Sequence, residues 1–198
     1  MRVKAGAAAC LLLLAASSGA AQHEKDWRSY YPLAKGNVWT YEVVGSDAKT
    51  SSTTVDWKVA NRSTNPHGVI FTVWQKPLGL DATSAQLQPT PDGLHELIGD
   101  FFPLRFPLHK GRTWTTRGRS RAFTVVSEGE PCSVGKLAFQ SCAVVRDEDN
   151  DARLRTVTTY ALGVGPVRYE YYDLGYGSDS SPAAILNLVV YSLEQDSK

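Results

Sequence analysis

The residues best suited to acid–base or metal chemistry in this 198-residue sequence are four histidines, and they are widely separated. They are His23, His67, His95 and His109. A zinc site built from histidine or cysteine needs ligands at short, regular spacings, and none of the four has such a neighbour. We therefore expect no catalytic residue and no metal ligand among them. His109 is the first to test, because the matching residue of the sequence repeat described below is Ala34.

A nucleophilic serine would be expected on a sharp turn, and segment 175–182 comes nearest to such a motif. It reads Gly-Tyr-Gly-Ser-Asp-Ser-Ser-Pro, which is not G-x-S-x-G and has no strand–turn–helix context to expose a hydroxyl. This composition is more typical of a loop. A secreted hydrolase stays open as an alternative function, since an active site can be assembled from loops that are distant in sequence.

Carboxylates stand at alternate positions in segment 147–151, an arrangement that a calcium loop could use. An EF-hand pattern requires glycine at the sixth position and glutamate at the twelfth, whereas Ala152 and Thr158 stand there. The segment is better explained as an acidic hairpin turn that neighbouring arginines partly neutralise. The sequence therefore predicts no cofactor and no metal, with weak calcium binding as the alternative.

The first 21 residues have the three-part pattern of a secretory signal peptide. A cationic start (1–4), an apolar run (5–16) and a small-residue end (17–21) follow one another. The run is shorter than the roughly 20 residues of a membrane-spanning helix, which disfavours an uncleaved anchor. A lipoprotein signal is disfavoured because too few apolar residues precede Cys10. We expect cleavage near Ala21, no transmembrane segment afterwards, and a periplasmic or secreted protein.

Cleavage would leave two cysteines, Cys132 and Cys142. In an oxidising compartment, an even number of cysteines close in sequence predicts a disulfide. A redox pair or half of a metal site is the alternative, but the spacing is not C-x-x-C and no histidine lies nearby. We therefore predict a structural disulfide between Cys132 and Cys142.

The charge balance of the chain argues against binding to nucleic acid or to an anionic membrane. Loss of residues 1–21 removes Arg2 and Lys4 and leaves a net charge of −1, so there is no basic excess to attract nucleic acid or an anionic membrane. The length of segment 22–198 suits one domain with a substantial core. Frequent valine, threonine and aromatic residues favour strands. We predict a single all-β domain over 22–198.

Apolar and polar residues alternate in many short segments, which is the pattern of half-buried antiparallel strands. Val55, Trp57 and Val59, for example, share one face. We predict strands at 38–43, 54–59, 69–74, 85–88, 93–98, 121–126, 139–145, 154–162, 167–172 and 184–193. Segment 185–191 is apolar on both faces and is expected in a central or doubly covered strand. The fold class is a single antiparallel, strongly curved sheet: a half-barrel, a barrel or a sandwich.

A ten-residue motif occurs twice. Segment 31–40, Tyr-Pro-Leu-Ala-Lys-Gly-Asn-Val-Trp-Thr, returns 75 residues later at 106–115 as Phe-Pro-Leu-His-Lys-Gly-Arg-Thr-Trp-Thr. The shared PLxKGxxWT pattern predicts two equivalent strand starts, in which glycine permits a turn and tryptophan begins an inward-facing strand. It also predicts two repeat-like halves, about 31–100 and 106–198. The alternative is an aromatic ligand site made by Trp39 and Trp114.

The two motifs and a late turn, Gly-Val-Gly-Pro-Val-Arg at 163–168, resemble those of a broad group of uncharacterised exported bacterial proteins and lipoproteins. The resemblance rests on short motifs. It implies an all-β, half-barrel-like fold similar in style to periplasmic lipoprotein carriers. It implies no activity and no catalytic residue, and the missing lipobox separates this chain from the lipidated members.

These observations favour an exported, non-enzymatic binding protein or envelope accessory. A curved sheet lined by aromatic and aliphatic residues offers an apolar concavity, so we expect an apolar small molecule or an envelope protein as its partner. The alternatives are a secreted hydrolase and a purely structural envelope protein.

Overall fold

A computed structural model of the chain describes residues 26–45, 53–75, 83–118, 120–176 and 181–194. The predicted signal peptide, with Cys10, and His23 lie outside these residues, as do residues 177–180 of the serine-rich segment. Export, the cleavage site and the boundaries 22–198 therefore stay predictions from the sequence.

Twelve strands form one antiparallel sheet in the described part of the chain. They are β1 (Val38–Gly45), β2 (Thr53–Asn65), β3 (Gly68–Gln75), β4 (Thr83–Thr90), β5 (Gly93–Glu96), β6 (Phe101–Arg105), β7 (Thr113–Thr115), β8 (Arg121–Val134), β9 (Leu137–Asp149), β10 (Leu154–Ala161), β11 (Gly165–Asp173) and β12 (Ala184–Ser192). A four-residue helix, α1 (Trp27–Tyr30), precedes them, and a 3-10 turn, Leu174–Tyr176, lies between β11 and β12. The predicted all-β, single-sheet class is confirmed.

The strand order shows how the sheet is built. It runs β6-β5-β4-β3-β2-β1-β12-β11-β10-β9-β8-β7, so β1–β6 and β7–β12 are two six-stranded meanders that join where β1 pairs with β12. The end strands β6 and β7 meet across a gap, where Trp114 Nε1 donates a hydrogen bond to Phe102 O (2.8 Å). The sheet is therefore a nearly closed barrel, one of the three curved forms expected from the sequence.

The two copies of the repeated motif have the same backbone hydrogen bonds. Gly36 N donates to Val59 O (2.9 Å) before β1, and Gly111 N donates to Val125 O (2.8 Å) before β7. Both glycines have positive φ, +103° and +85°, in the region that other residues adopt with strain. The shared lysine–glycine step is therefore a turn that starts a strand in each meander.

The side chain that follows each glycine also plays the same part. Asn37 Nδ2 donates to Pro32 O (2.6 Å), and Arg112 Nη1 donates to Pro107 O. In both copies, a polar side chain thus ties the end of the turn to the proline five residues earlier. The repeat is a local structural unit that sequence alone was sufficient to find.

The tryptophans of the motif differ in their surroundings. Trp39 is fully buried, and its Nε1 donates to Val164 O (2.7 Å) in the turn between β10 and β11. Gly165 follows with φ +112°, and a Cβ there would lie 3.0 Å from Trp39 Nε1. The late glycine-rich turn therefore accepts the indole of Trp39 because it lacks a side chain at that point. Trp114 packs against Phe123 instead, with nearly parallel rings 5.4 Å apart.

Helix α1 packs into the core and was not predicted. Asp26 caps it, since its Oδ1 accepts from Arg28 N (3.0 Å) and Ser29 N (3.3 Å). Tyr30 is fully buried, and Trp27 is nearly so. A four-residue helix is too short to show a helical period in the sequence, which explains the omission. No helix among the described residues has the length and apolar character to cross a membrane.

The structure adds one strand to the predicted set and confirms the central position of another. Strand β6 was not predicted because it contains Pro103, and proline is tolerated only where a backbone N–H is not needed; β6 meets this condition as an end strand. β12 is central, as expected, but it is not covered on both faces. Val190 is 60% exposed, and Val189 and Tyr191 are also exposed.

The long β8–β9 hairpin carries both mature cysteines. Their Cα atoms lie 6.0 Å apart, which is within the usual range for a disulfide. The sulfur atoms lie at bonding distance. The hairpin ladder has irregularities between Glu128 and Cys132, so the cysteine pair spans the part where the backbone pairing is least regular.

Candidate ligand cavity

The inner face of the barrel lines a cavity of about 420 Å³ that is partly open to solvent. Its lining comes from strands of both meanders and from the segment after α1. Three charged side chains and several hydroxyl and amide groups share this surface with six aromatic residues: Tyr31, Trp57, Phe101, Tyr160, Tyr169 and Tyr171. Small-molecule sites span roughly 300–1,000 Å³ and combine apolar walls with a few polar groups. The cavity has that character and size.

The aromatic wall joins β2 to β11. The ring centroids of Trp57 and Tyr169 lie 4.4 Å apart, and Tyr169 and Tyr171 are nearly parallel with centroids 6.2 Å apart. These residues were predicted to face inward, because Trp57 alternates with polar residues on β2 and the tyrosines alternate with Arg168 and Glu170. Alternation along two strands from opposite meanders thus builds one continuous wall.

The tyrosine hydroxyls of the cavity are protonated at neutral pH. Burial raises the pKa of Tyr160 and Tyr171 well above the ordinary tyrosine value. It also raises the pKa of Tyr31, although a hydrogen bond with Tyr169 opposes the rise. A protonated phenol is a hydrogen-bond donor as well as an acceptor. These side chains therefore add uncharged hydrogen-bonding groups to the cavity wall.

Arg121 and Asp147 form an ion pair on the cavity surface. Arg121 Nε lies 2.8 Å from Asp147 Oδ1, and Nη2 also donates to Oδ2. Asp147 pairs with Phe123 in the β8–β9 ladder, so it lies diagonally across from Arg121 on the same face. The guanidinium carbon is 3.9 Å from the centroid of Phe101. Burial would lower the pKa of Arg121, but the hydrogen bonds and charge of Asp147 raise it, so the guanidinium stays charged.

The acidic segment 147–151 lies at the predicted hairpin between β9 and β10, but only its end forms the turn. Strand β9 continues to Asp149, and Asp147 faces the cavity. Glu148 Oε1 lies 2.9 Å from Arg155 Nε. Asp149 Oδ1 accepts from Asp151 N (3.1 Å) and caps the turn. Among the described residues, no group of three or more histidine, cysteine or acidic side chains could hold a metal ion.

Glu96 is the second carboxylate of the lining, and backbone donors hold it. It is only 6% exposed. Its Oε1 accepts from Gln86 N and Ile98 N, both at 3.2 Å, and its Oε2 accepts from Gly99 N. These bonds fix the connection between β5 and β6. Charge-assisted bonds of this kind satisfy a buried carboxylate without a cationic partner.

Trp57 contributes an unsatisfied donor. The indole is 4% exposed, yet its Nε1 has no hydrogen-bond partner in the described part of the chain. The indole N–H can only donate, and leaving such a group unpaired when buried has a cost of about 1–3 kcal/mol. Since the atom has almost no accessible surface, it lies within the wall and does not face the open space of the cavity.

The candidates singled out from the sequence lie elsewhere. Of the three described histidines, none lines the cavity. His95 stacks on Phe102, and its Nε2 is 2.9 Å from Asp100 Oδ1. His109 is exposed, with its Nδ1 3.6 Å from Glu128 Oε2.

The alternative site made by Trp39 and Trp114 also finds no support. The first ring is enclosed beside the turn between β10 and β11, and the second stacks on Phe123 near the gap. Neither lines the cavity. Both tryptophans pack as structural residues in the two strand starts.

Sequence reasoning missed the polar members of the lining, although a signal for them exists. Arg121 has the same inward phase as Phe123 and Val125 on β8, and Asp147 has that of Val145 on β9. A charged residue that continues the apolar phase of a strand is buried at a cost unless it finds a partner. The inward-facing position of both residues could therefore have been recognised from the sequence.

A second cavity, of about 390 Å³, lies beside α1. Its lining includes Trp27, Pro32, Phe71, Arg62 and Glu194. The buried polar side chain of this lining has protein partners, since Asn37 Oδ1 accepts from Glu194 N (2.7 Å). The interior cavity, with its aromatic wall and its ion pair, is therefore the better candidate.

Comparison with known proteins gives no family assignment. No protein-family model matches the chain, and no curated protein matches it. Among solved structures, a protein of Bacteroides fragilis described as exported, with a YmcC-like fold, is 13% identical, with a TM-score of 0.49 over 83% of this chain and 99% of that one. A protein of Parabacteroides distasonis described as a lipoprotein is 12% identical, with a TM-score of 0.40 over 85% of this chain and 100% of that one.

Proposed function

We propose that this protein is an exported, non-enzymatic binding protein that holds a small molecule inside its barrel. The observation that carries the proposal is the interior cavity, which combines an aromatic wall with a few fixed polar groups. The ion pair of Arg121 and Asp147 and the backbone bonds of Glu96 hold the charged groups in place before any ligand arrives. A preorganised site of this kind loses little conformational entropy on binding.

Export is supported by the N-terminal sequence and by the cysteine pair. Residues 1–21 have the composition of a signal peptide, and Cys132 and Cys142 lie at disulfide distance in the β8–β9 hairpin. Disulfides persist in oxidising compartments. We place the protein in the periplasm or outside the cell.

The cavity refines the ligand expected from the sequence. A purely apolar molecule that displaced water would leave hydroxyl groups of the lining without the hydrogen bonds they make to water, which has an energetic cost. The lining favours an amphipathic molecule that packs against the rings and also reaches the polar groups.

Native mass spectrometry of the mature protein, purified from its export compartment, tests this function. We expect a non-covalent adduct of low molecular mass on the wild-type protein. Ala85→Phe should remove it, because Ala85 lines the cavity and a phenyl ring would occupy the space. Gln86→Phe is the matched control: the neighbouring side chain is exposed on the other face of β4 and the adduct should persist. An adduct that Ala85→Phe leaves unchanged would place the ligand elsewhere.

A further inference from the structure

The ion pair of Arg121 and Asp147 leaves both an acceptor and a donor unused. Its side chains are 27% and 14% exposed and line the cavity, so neither is sealed within the wall. Asp147 Oδ1 accepts one hydrogen bond from Arg121 (2.8 Å), although a carboxylate oxygen has two acceptor sites. Arg121 Nη1 donates no hydrogen bond within the described part of the chain. Because a hydroxyl group both donates and accepts, two neighbouring hydroxyls of a ligand can bond to Asp147 and Arg121 together.

Three uncharged polar groups of the lining also have unused donors and acceptors. The side chains of Gln75 on β3 and Thr156 on β10 are partly exposed, and neither makes a hydrogen bond to another described residue. The Tyr171 hydroxyl, which has no such bond either, belongs to the residue directly opposite Thr156 in the β10–β11 ladder. An amide and two hydroxyls each donate as well as accept. The cavity therefore suits a ligand whose polar groups do both.

The charged groups of the lining give an ionic ligand no unpaired counter-charge. Arg121 neutralises Asp147. Glu96 is 6% exposed, and its carboxylate oxygens accept from three backbone N–H groups. An ionic ligand would lose hydration in the cavity without gaining an opposite charge that is free to pair with it. A ligand whose polar groups are neutral hydroxyls avoids this cost.

The walls of the cavity offer apolar surface of two kinds. Tyr171 is partly exposed and presents its ring from β11, whereas Tyr169 beside it is only 7% exposed. Strand β4 provides the aliphatic groups of Ala85 and Leu87. The face of an aromatic ring carries partial negative charge and attracts C–H groups. An aromatic ring on one wall and aliphatic groups on another therefore match a saturated ring with C–H groups on its faces. A flat aromatic molecule would gain more from aromatic rings on both of its faces.

From these features we infer that the ligand is a neutral saccharide, whose neighbouring hydroxyls bond to Arg121 and Asp147 and whose ring packs on Tyr171. This inference rests on the proposed binding function and names the chemical class of the ligand. A saccharide combines C–H faces with edges of hydroxyl groups that both donate and accept. Thr156 completes the polar contacts on the wall that carries Tyr171, and Gln75 provides them from β3.

Saturation-transfer difference NMR titrations of the mature protein with defined saccharides test the inference. The probes are maltose, cellobiose, lactose and trehalose, each compared with its fully O-methylated form, and adenosine serves as a flat aromatic comparison. Methylation keeps the ring and the acceptor oxygens and removes every hydroxyl donor. We expect at least one saccharide to bind, and its methylated form to bind about tenfold more weakly, as the loss of one or two hydrogen bonds predicts. Adenosine should bind more weakly than that saccharide.

Two pairs of variants assign the binding to the cavity. Tyr171→Ala removes the ring and should weaken the saccharide about tenfold, whereas Tyr172→Ala alters the next residue, which faces the other side of β11 and bonds to Glu170, and should leave the affinity unchanged. Thr156→Val removes one hydroxyl with little change of shape and should weaken the saccharide about three- to tenfold. Thr159→Val is the same change outside the cavity lining and should have no effect. Thr156→Val keeps the test decisive if Tyr171→Ala does not fold.

The outcomes separate the ligand class from the function. Absence of binding by all four saccharides, equal binding of a saccharide and its methylated form, or tighter binding of adenosine would each overturn the inferred class. Saccharide binding that Thr156→Val leaves unchanged would overturn the assigned site. The cavity function would still stand if the native adduct is lost in Ala85→Phe and kept in Gln86→Phe. Absence of both a native adduct and binding by any probe would overturn the proposed function together with the inference.

Discussion

The two meanders meet at two junctions, and the junctions are built differently. β1 and β12 pair along the whole of β1, from Val38 to Gly45. Two side chains of β1 reinforce this junction. Trp39 Nε1 donates to Val164 O in the turn before β11, and Tyr41 Oη donates to Pro166 O (2.8 Å) at the start of β11. β6 and β7 show no backbone ladder to each other in the described part of the chain.

In the described part of the chain, side chains bridge the second junction. Trp114 Nε1 donates to Phe102 O, and Phe123 stacks on Trp114 on one side and on Phe101 on the other (5.4 and 5.7 Å between centroids). A backbone ladder distributes its energy over many bonds, whereas this contact depends on a few rings. The same repeated motif can therefore begin a strand at a fully hydrogen-bonded junction or at a weak one, depending on what its tryptophan contacts.

The largest expected effect comes from removing the two tryptophans. Trp39→Ala should reduce the free energy of unfolding by about 5 kcal/mol and Trp114→Ala by about 3 kcal/mol, within the range for large-to-small core changes. The difference follows from burial, because Trp39 is fully enclosed and Trp114 is 6% exposed at the gap. Urea unfolding of each variant measures both values. A melting temperature that either variant leaves unaltered would show that the two strand starts are not equivalent structural units.

The cysteine pair should stabilise the meander that ends at the weak junction. We predict that Cys132 and Cys142 are bonded, and that the double change to serine reduces the free energy of unfolding by roughly 2.5–3 kcal/mol, as expected for a short closed loop. Intact-mass measurement should place the non-reduced protein about 2 Da below the reduced one. Two cysteines that alkylate freely in the folded, exported protein would contradict this.

The smallest effect concerns Tyr41 at the sealed junction. Tyr41→Phe should reduce the free energy of unfolding by about 1 kcal/mol at neutral pH, since it loses the bond to Pro166 O. Burial raises the pKa of Tyr41 far above that of an unfolded tyrosine, so its contribution is fully present below about pH 10 and is lost as the pH rises further.

Above pH 10 the wild-type protein should therefore lose stability faster than Tyr41→Phe, by up to about 1.4 kcal/mol for each pH unit. Urea unfolding between pH 8 and pH 11 measures the two slopes. Tyr191→Phe is the control, because Tyr191 is 41% exposed and should leave the slope unchanged. Parallel curves for wild type and Tyr41→Phe would show that Tyr41 ionises as easily in the folded state as in the unfolded one.

Much of the cavity wall was predictable from the sequence, whereas the ion pair of Arg121 and Asp147 was not. The inward faces of Trp57 and Tyr169 follow from alternation that a reader can see in a few residues. The pairing of Arg121 with Asp147 depends on the register of β8 and β9. Irregularities between Val125 and Ser127, and others nearer the hairpin turn, shift this register from the one that counting residues back from the turn would give. A bulge changes which residues face each other and leaves no clear mark in the sequence.

The sequence by itself determined the class of the fold, most of its strands and the two equivalent strand starts, because period-two alternation and a glycine that needs positive φ are local properties. Only the tertiary structure decided how far the sheet closes and what its interior contains. Closure depends on whether β6 and β7 meet, and the cavity depends on side chains from four or more strands that converge at one place. Contacts between residues this far apart are set by the sum of all registers and bulges, which no single segment of sequence specifies.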